Sequence, residues 1–198
     1  MVKSTTGRIA DDFYHQGFSV CDNFISEEGV AQLVSAVEEK RNTFQKAGIG
    51  SGGNLTVDKS VRGDFIRWIN EAEAGPFHLY IGKLWPVIEL FNQKFFLGIV
   101  GNEHHIAYYP PGTHYEKHVD TFKNSDARVV STVLYLNQNW KASDGGELMI
   151  YPENGEPVKI EPVSGRLVLF ESILPHEVLI SNSDRYSITG WFKRRSGL

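Results

Sequence analysis

At 198 residues with 41% hydrophobic content, the chain is long enough to bury one substantial core and too short for two full domains, so a single domain over 1–198 is expected. A net charge of −4 and an isoelectric point near 6.0 offer no general attraction to nucleic acid or to an anionic membrane. The single cysteine, Cys21, excludes an internal disulfide, points to a reducing compartment, and reads as a small buried hydrophobe.

Residues 1–12 are polar and lack the apolar run of a signal peptide. No window is apolar for long enough to span a bilayer, so a soluble cytoplasmic protein is expected. Residues 17–24 read as a strand. Ser26 opens a helix, with Glu27 and Glu28 near its positive end. Val30, Leu33, Val34, Val37 and Phe44 follow at helical spacing, and Gly48 is expected to end the helix. The glycine-rich stretch 48–53 reads as a mobile loop, and 61–69 as partly extended. A second helical region covers 77–95, with Leu84, Ile88, Phe91 and Phe95 on its buried face. Pro86 either kinks it or starts a second piece.

From Leu97 onward the pattern changes to short apolar runs between turn signals: Pro110-Pro111-Gly112, Asn124-Ser125-Asp126, Asp144-Gly145-Gly146, Asn154-Gly155 and Ser164-Gly165. Such punctuation argues for an antiparallel unit, and a ligand pocket within it suits a double-stranded β-helix of the jelly-roll or cupin type. The expected class is α+β, mainly β. About 1–96 form helical support with a substrate loop at 48–64, and about 97–195 form the barrel core. No internal repeat or low-complexity segment is present.

Within the β half, His118-Val119-Asp120 is followed by His176 and then Arg185. Two imidazoles and a carboxylate form a facial triad that holds Fe(II) and leaves open positions for oxygen and a co-substrate. Residues 118 and 120 of a strand share a face, so one strand end delivers both ligands. Segments 175–180 and 185–192 both read as strands, and the turn at Ser181-Asn182-Ser183-Asp184 predicts a hairpin that brings His176 and Arg185 onto adjacent strands. A guanidinium behind such a site suits the distal carboxylate of 2-oxoglutarate. Taken singly, each of these residues also suits an ordinary structural role. His104, His105 and His114 are spare histidines, structural or solvent-facing, because the triad is complete without them.

Together His118-x-Asp120, His176 and Arg185 resemble the Fe(II)- and 2-oxoglutarate-dependent dioxygenases. Val61-Arg62-Gly63-Asp64, Tyr109-Pro110, Tyr135-Leu136-Asn137, Gly145-Gly146-Glu147-Leu148, Pro175-His176-Glu177-Val178 and Arg185-Tyr186-Ser187-Ile188-Thr189-Gly190-Trp191 narrow this to the prolyl hydroxylases of the hypoxia-sensing type. The resemblance runs from about Gly17 to Lys193. It is strongest to a bacterial member whose proposed substrate is a proline of elongation factor Tu.

The resemblance implies that His118, Asp120 and His176 are the iron ligands and that 2-oxoglutarate and oxygen are co-substrates, with ascorbate supporting activity. It gives the distal carboxylate to Arg185 and Tyr135, assisted by Thr189. Tyr109 is placed beside iron and co-substrate, and Trp191 in the pocket wall. Arg62 and Asp64 order the loop over the substrate, and Arg128 lines the substrate channel. The implied reaction is trans-4-hydroxylation of a prolyl residue in a protein, releasing succinate and carbon dioxide. The turn between Tyr109 and His118 is slightly shorter than in the animal enzymes, and 48–60 has its own composition, so the target is not carried over. Rival readings are a hydroxylase of a free amino acid or other small molecule and a binding module that senses 2-oxoglutarate or oxygen without turnover. A nucleic-acid demethylase lacks the basic patch it needs. A halogenase needs the position of Asp120 vacant.

Overall fold

The computed structural model describes residues 4–48, 61–70, 73–121, 125 and 127–195. The expected loop at 49–60 and the turn residues Asn124 and Asp126 lie outside them.

The chain begins with α1 (Thr5–Gln16), where a strandless polar segment was expected. Ser4 caps it by accepting from the Gly7 N–H at 3.2 Å, and Ile9, Ala10 and Phe13 supply a short buried stripe. Gly17 ends it at φ 75°, a left-handed turn suited to glycine, and feeds β1 (Phe18–Cys21), shorter than the expected strand. Ser26 caps α2 (Glu27–Glu39) as expected, through the Gly29 N–H at 3.3 Å. The helix does not reach Gly48. It stops at Glu39, a 3₁₀ turn covers Arg41–Thr43, and β2 (Gln45–Lys46) is extended. Phe44 therefore packs on the core from extended backbone; its helical spacing was coincidental.

After β3 (Phe65–Trp68) comes α3 (Pro76–Phe95), one continuous helix. Pro86 sits inside it. A proline ring normally presses on the residue four positions back, and that residue is Gly82, which has open space around it. Leu84, Ile88 and Phe91 are buried as expected.

The remaining strands are β4 (Ile99–Tyr109), β5 (Tyr115–His118), β6 (Arg128–Tyr135), β7 (Leu148–Ile150), β8 (Val158–Ile160), β9 (Leu167–Glu171), β10 (His176–Val178) and β11 (Arg185–Arg194). They form a seven-stranded sheet, β1-β9-β6-β11-β4-β3-β2, and a four-stranded sheet, β5-β10-β7-β8, with every ladder antiparallel. Two facing antiparallel sheets of this order are the expected double-stranded β-helix. The central strands of the large sheet are buried on both faces. On β6 and β9, Leu134, Leu167 and Leu169 pack toward the helices, while Val133, Tyr135, Val168 and Phe170 fill the barrel interior. Burial on both faces is why these strands read as continuous apolar runs.

The expected hairpin of β10 and β11 does not form. β10 pairs with β5 and β7 in the small sheet, and β11 with β4 and β6 in the large one. The connection crosses from one sheet to the other, held by the Gly145–Ser181 bridge and by the Gly112 N–H donating to the Ser181 carbonyl. His176 and Arg185 therefore face each other across the barrel from different sheets.

On the helix side of β11, Gly190 carries the His104 ring so closely that an added Cβ meets His104 Nδ1 at 1.9 Å. Gly190→Ala is expected to lower stability by about 1–3 kcal/mol through overpacking. In a double-mutant cycle with His104→Ala, the double variant should lose less than the sum of the two single losses, read from denaturant midpoints.

Candidate functional site

His118 ends β5 and His176 opens β10, and the two are directly paired in the ladder. Asp120 lies beyond the strand end, not on it as expected. Its N–H donates to the Ser172 carbonyl at 2.9 Å, which turns the carboxylate back toward both histidines. One oxygen lies 3.7 Å from His118 Nε2 and the other 3.5 Å from His176 Nε2, and the three donor atoms fall within 4.8 Å of one another.

The far side of each ligand is held. His118 Nδ1 donates to the Glu116 carbonyl at 2.6 Å and His176 Nδ1 to the Leu174 carbonyl at 2.9 Å. Both rings thus turn an Nε2 lone pair toward the shared point. Ser131 Oγ donates to Asp120 at 2.6 Å and lies 3.0 Å from Ser172 Oγ. Burial, with the neighbouring His176, pushes the His118 imidazole down to about 4. Burial would raise Asp120, but His176, His118 and the Ser131 hydroxyl outweigh it and hold its carboxyl below the usual range. Two imidazoles and a carboxylate are the donor set of a facial triad, and they fit Fe(II).

Behind the triad, Arg185 is 1% exposed. Its Nε donates to the Gly146 carbonyl at 2.8 Å and its Nη1 to Ser187 Oγ at 3.4 Å. No described carboxylate pairs with it. The rings of Tyr109 and Tyr135 flank the guanidinium, with centroids 4.8 and 5.2 Å from Cζ, and the buried Tyr135 hydroxyl has no hydrogen-bond partner within bonding geometry among the described residues. A buried cation and an unpaired hydroxyl side by side call for an anion with oxygen acceptors. Thr189 and Trp191 line the same cavity of about 790 Å³, which the triad and Arg185 share.

Near the mouth, Arg62 grips Asp64 through two hydrogen bonds of 2.7 and 2.6 Å and lies over the Tyr115 ring at 4.2 Å. Asp64 is buried, and its charge outweighs the effect of burial on Arg62, whose pKa is raised. Arg128 donates twice to Glu103 and stacks 3.5 Å from the Trp191 centroid. Arg62 and Arg128 both reach the cavity, and Trp68 forms a half-exposed part of its wall.

Ser131, Ser172 and Ser187 were not singled out from the sequence. Serines in apolar strands carry a signal only once the register shows which face they share. His105 was read as spare, yet it lines the cavity.

Residues 104–193 match the 2OG-Fe(II) oxygenase superfamily. A crystal structure of a Pseudomonas putida prolyl-4-hydroxylase superposes with a TM-score of 0.85 at 36% identity, covering 94% of this chain and 97% of that one. A Trichoplax adhaerens prolyl hydroxylase, in complex with a hypoxia inducible factor oxygen degradation domain peptide fragment, superposes with a TM-score of 0.85 at 30% identity, covering 95% and 88%. The hypoxia-inducible factor prolyl hydroxylase of Caenorhabditis elegans is 33% identical over 199 residues, 91% of this chain, but the chain spans only 27% of that protein's length.

Fold and site together place the chain in the 2OG-Fe(II) oxygenase superfamily. More narrowly, the chain belongs to the prolyl hydroxylases of this superfamily, the group that includes the hypoxia-inducible factor hydroxylases.

Ser131→Ala leaves the three ligands in place but frees Asp120 to rotate. Its metal affinity is expected to fall about 10–100-fold, while His176→Ala removes a ligand and should abolish tight binding; titration calorimetry with Mn(II) without oxygen checks both.

Proposed function

We propose that the chain hydroxylates a prolyl residue in a protein, converting 2-oxoglutarate and oxygen to succinate and carbon dioxide. The observation that carries this reading is the pairing, in one cavity, of a metal-competent triad with a buried guanidinium that has no counter-ion among the described residues. His118, Asp120 and His176 hold the metal. Fe(II), when bound, supplies the oxidising chemistry that inserts oxygen into a C–H bond.

The remaining residues position and exclude. Arg185 receives the distal carboxylate of 2-oxoglutarate as a fork of donors, and the Tyr135 hydroxyl adds another. Tyr109 and Thr189 line its path, and Trp191 closes the wall. Arg62 and Asp64 set the start of β3 against β5, and Arg128 shapes the channel by which a polypeptide reaches the metal. The apolar walls of the cavity, with a bound substrate closing its open side, keep water from the reacting centre. No side chain has to act as a nucleophile.

The target is a polypeptide whose proline enters past Trp68 and Arg128; elongation factor Tu is the candidate the sequence resemblance names. A decisive assay incubates the purified chain with Fe(II), 2-oxoglutarate, air and proteins extracted from cells lacking it. Prolines gaining one oxygen by mass spectrometry, and not with His176→Ala, are the expected result. Succinate without proline modification would favour a small-molecule substrate, and neither product would favour a sensing module.

Arg185→Lys replaces a fork with a point charge. It should raise KM for 2-oxoglutarate by about tenfold or more. Breaking the Arg62–Asp64 pair with Asp64→Asn should instead raise KM for the protein substrate, with KM for 2-oxoglutarate little changed; steady-state kinetics with each substrate varied in turn separates the two.

A further inference from the structure

Two adjacent histidines on β4 take no part in the triad. His104 faces α3, its ring 5.8 Å from that of Tyr80. His105 faces the other way, into the cavity. It is 4% exposed, and its ring lies 5.1 Å from Trp68 and 5.3 Å from Trp191. His105 Nδ1 is buried with no hydrogen-bond partner among the described residues. Burial, reinforced by the charges of Arg62 and Arg128, pushes the imidazole down to about 3, so the ring is neutral and carries one donor and one acceptor. Such a ring in a cavity wall is costly unless something entering the cavity bonds to it.

Strand register identifies what His105 meets. Along β11, Ser187 stands opposite Ala107 and Tyr135, Thr189 opposite His105 and Val133, and Trp191 opposite Glu103 and Ser131. The Arg185 guanidinium reaches up to the Ser187 level through its Nη1 contact, and Ser131 holds Asp120 at the Trp191 level. His105 is therefore on the wall midway between guanidinium and triad. On the other side of β11 in the same sheet, the residue at that level is Val133, which is apolar. A five-carbon diacid with one carboxylate on Arg185 runs past His105 with its 2-oxo acid end.

We infer that His105 donates a hydrogen bond to an oxygen at the 2-oxo acid end of 2-oxoglutarate and so orients the co-substrate between Arg185 and the metal. This assignment rests on the proposed function of the cavity. The proton then sits on Nε2, the nitrogen turned to the cavity, with Nδ1 as the buried lone pair.

The test is equilibrium binding of 2-oxoglutarate to the Mn(II)-loaded protein without oxygen, by calorimetry. His105→Phe keeps the volume and removes the polar atoms, and His105→Gln keeps a donor. Phe should weaken 2-oxoglutarate binding by about tenfold at unchanged Mn(II) affinity, and Gln should recover most of the loss. Equal or tighter binding by the Phe variant overturns the assignment, as does a loss confined to KM for the protein substrate. Should Phe disturb the fold, read from its melting temperature, the Gln and Leu pair carries the same comparison. If the unaltered Mn(II) protein does not bind 2-oxoglutarate, the proposed function fails and not merely this residue's part in it.

Discussion

A guanidinium cannot shed its charge, and placing one in an apolar barrel is unfavourable unless its donors are used and its charge is answered. Arg185 is in that position: two internal hydrogen bonds, two tyrosine rings, and no described carboxylate. The barrel answers to this constraint. Gly146 is left-handed and sits where a side chain would strike the Arg185 stem at 2.9 Å, so only a residue without Cβ lets its carbonyl come close enough to accept from Nε. The neighbouring connection at 181–184 is tied down by several hydrogen bonds, which keeps the start of β11 in place. The missing charge is left for a bound anion.

The triad obeys a second constraint, that ligands be aimed before a metal arrives. Two backbone carbonyls orient the imidazoles, and a serine pair orients the carboxylate. These partners come from β5, β6 and the turn between β9 and β10, so the geometry of the site depends on both sheets keeping their relative position. The helical layer serves that end. α1, α2 and α3 cover the outer face of the large sheet, and the dense packing of Ile106, Val130, Leu134, Ile188 and Phe192 against them stiffens the strands that carry Ser131, Arg185 and Thr189. No described helix is long and apolar enough to cross a membrane.

Much of the site was legible because its chemistry is carried by rare residue types at fixed spacing. His118, Asp120, His176 and Arg185 were identifiable in order, and α2's start and α3's buried face followed from a capping serine and a helical repeat. Illegible features were those where local pattern and tertiary demand part. Phe44 fits a helical repeat but packs from extended backbone. α1 buries only Ile9, Ala10 and Phe13, too short an apolar stripe to announce a helix in so polar a segment. The segments around His176 and Arg185 look like a hairpin because a short polar turn joins two strands, yet nothing local says whether the second strand returns alongside the first or crosses to the facing sheet.

What the amino-acid order determined by itself is therefore the candidate metal-binding group, the alternation of strands and turns, and the family, since each depends on residue identity and near-neighbour spacing. What the tertiary structure alone decided is which faces meet. It put His176 and Arg185 on opposing sheets, brought three unremarkable serines onto the ligands and the guanidinium, and turned His105 into the cavity while its neighbour His104 faces the helices. A strand's two faces differ by one residue in register, and register is set by partners far away in the chain.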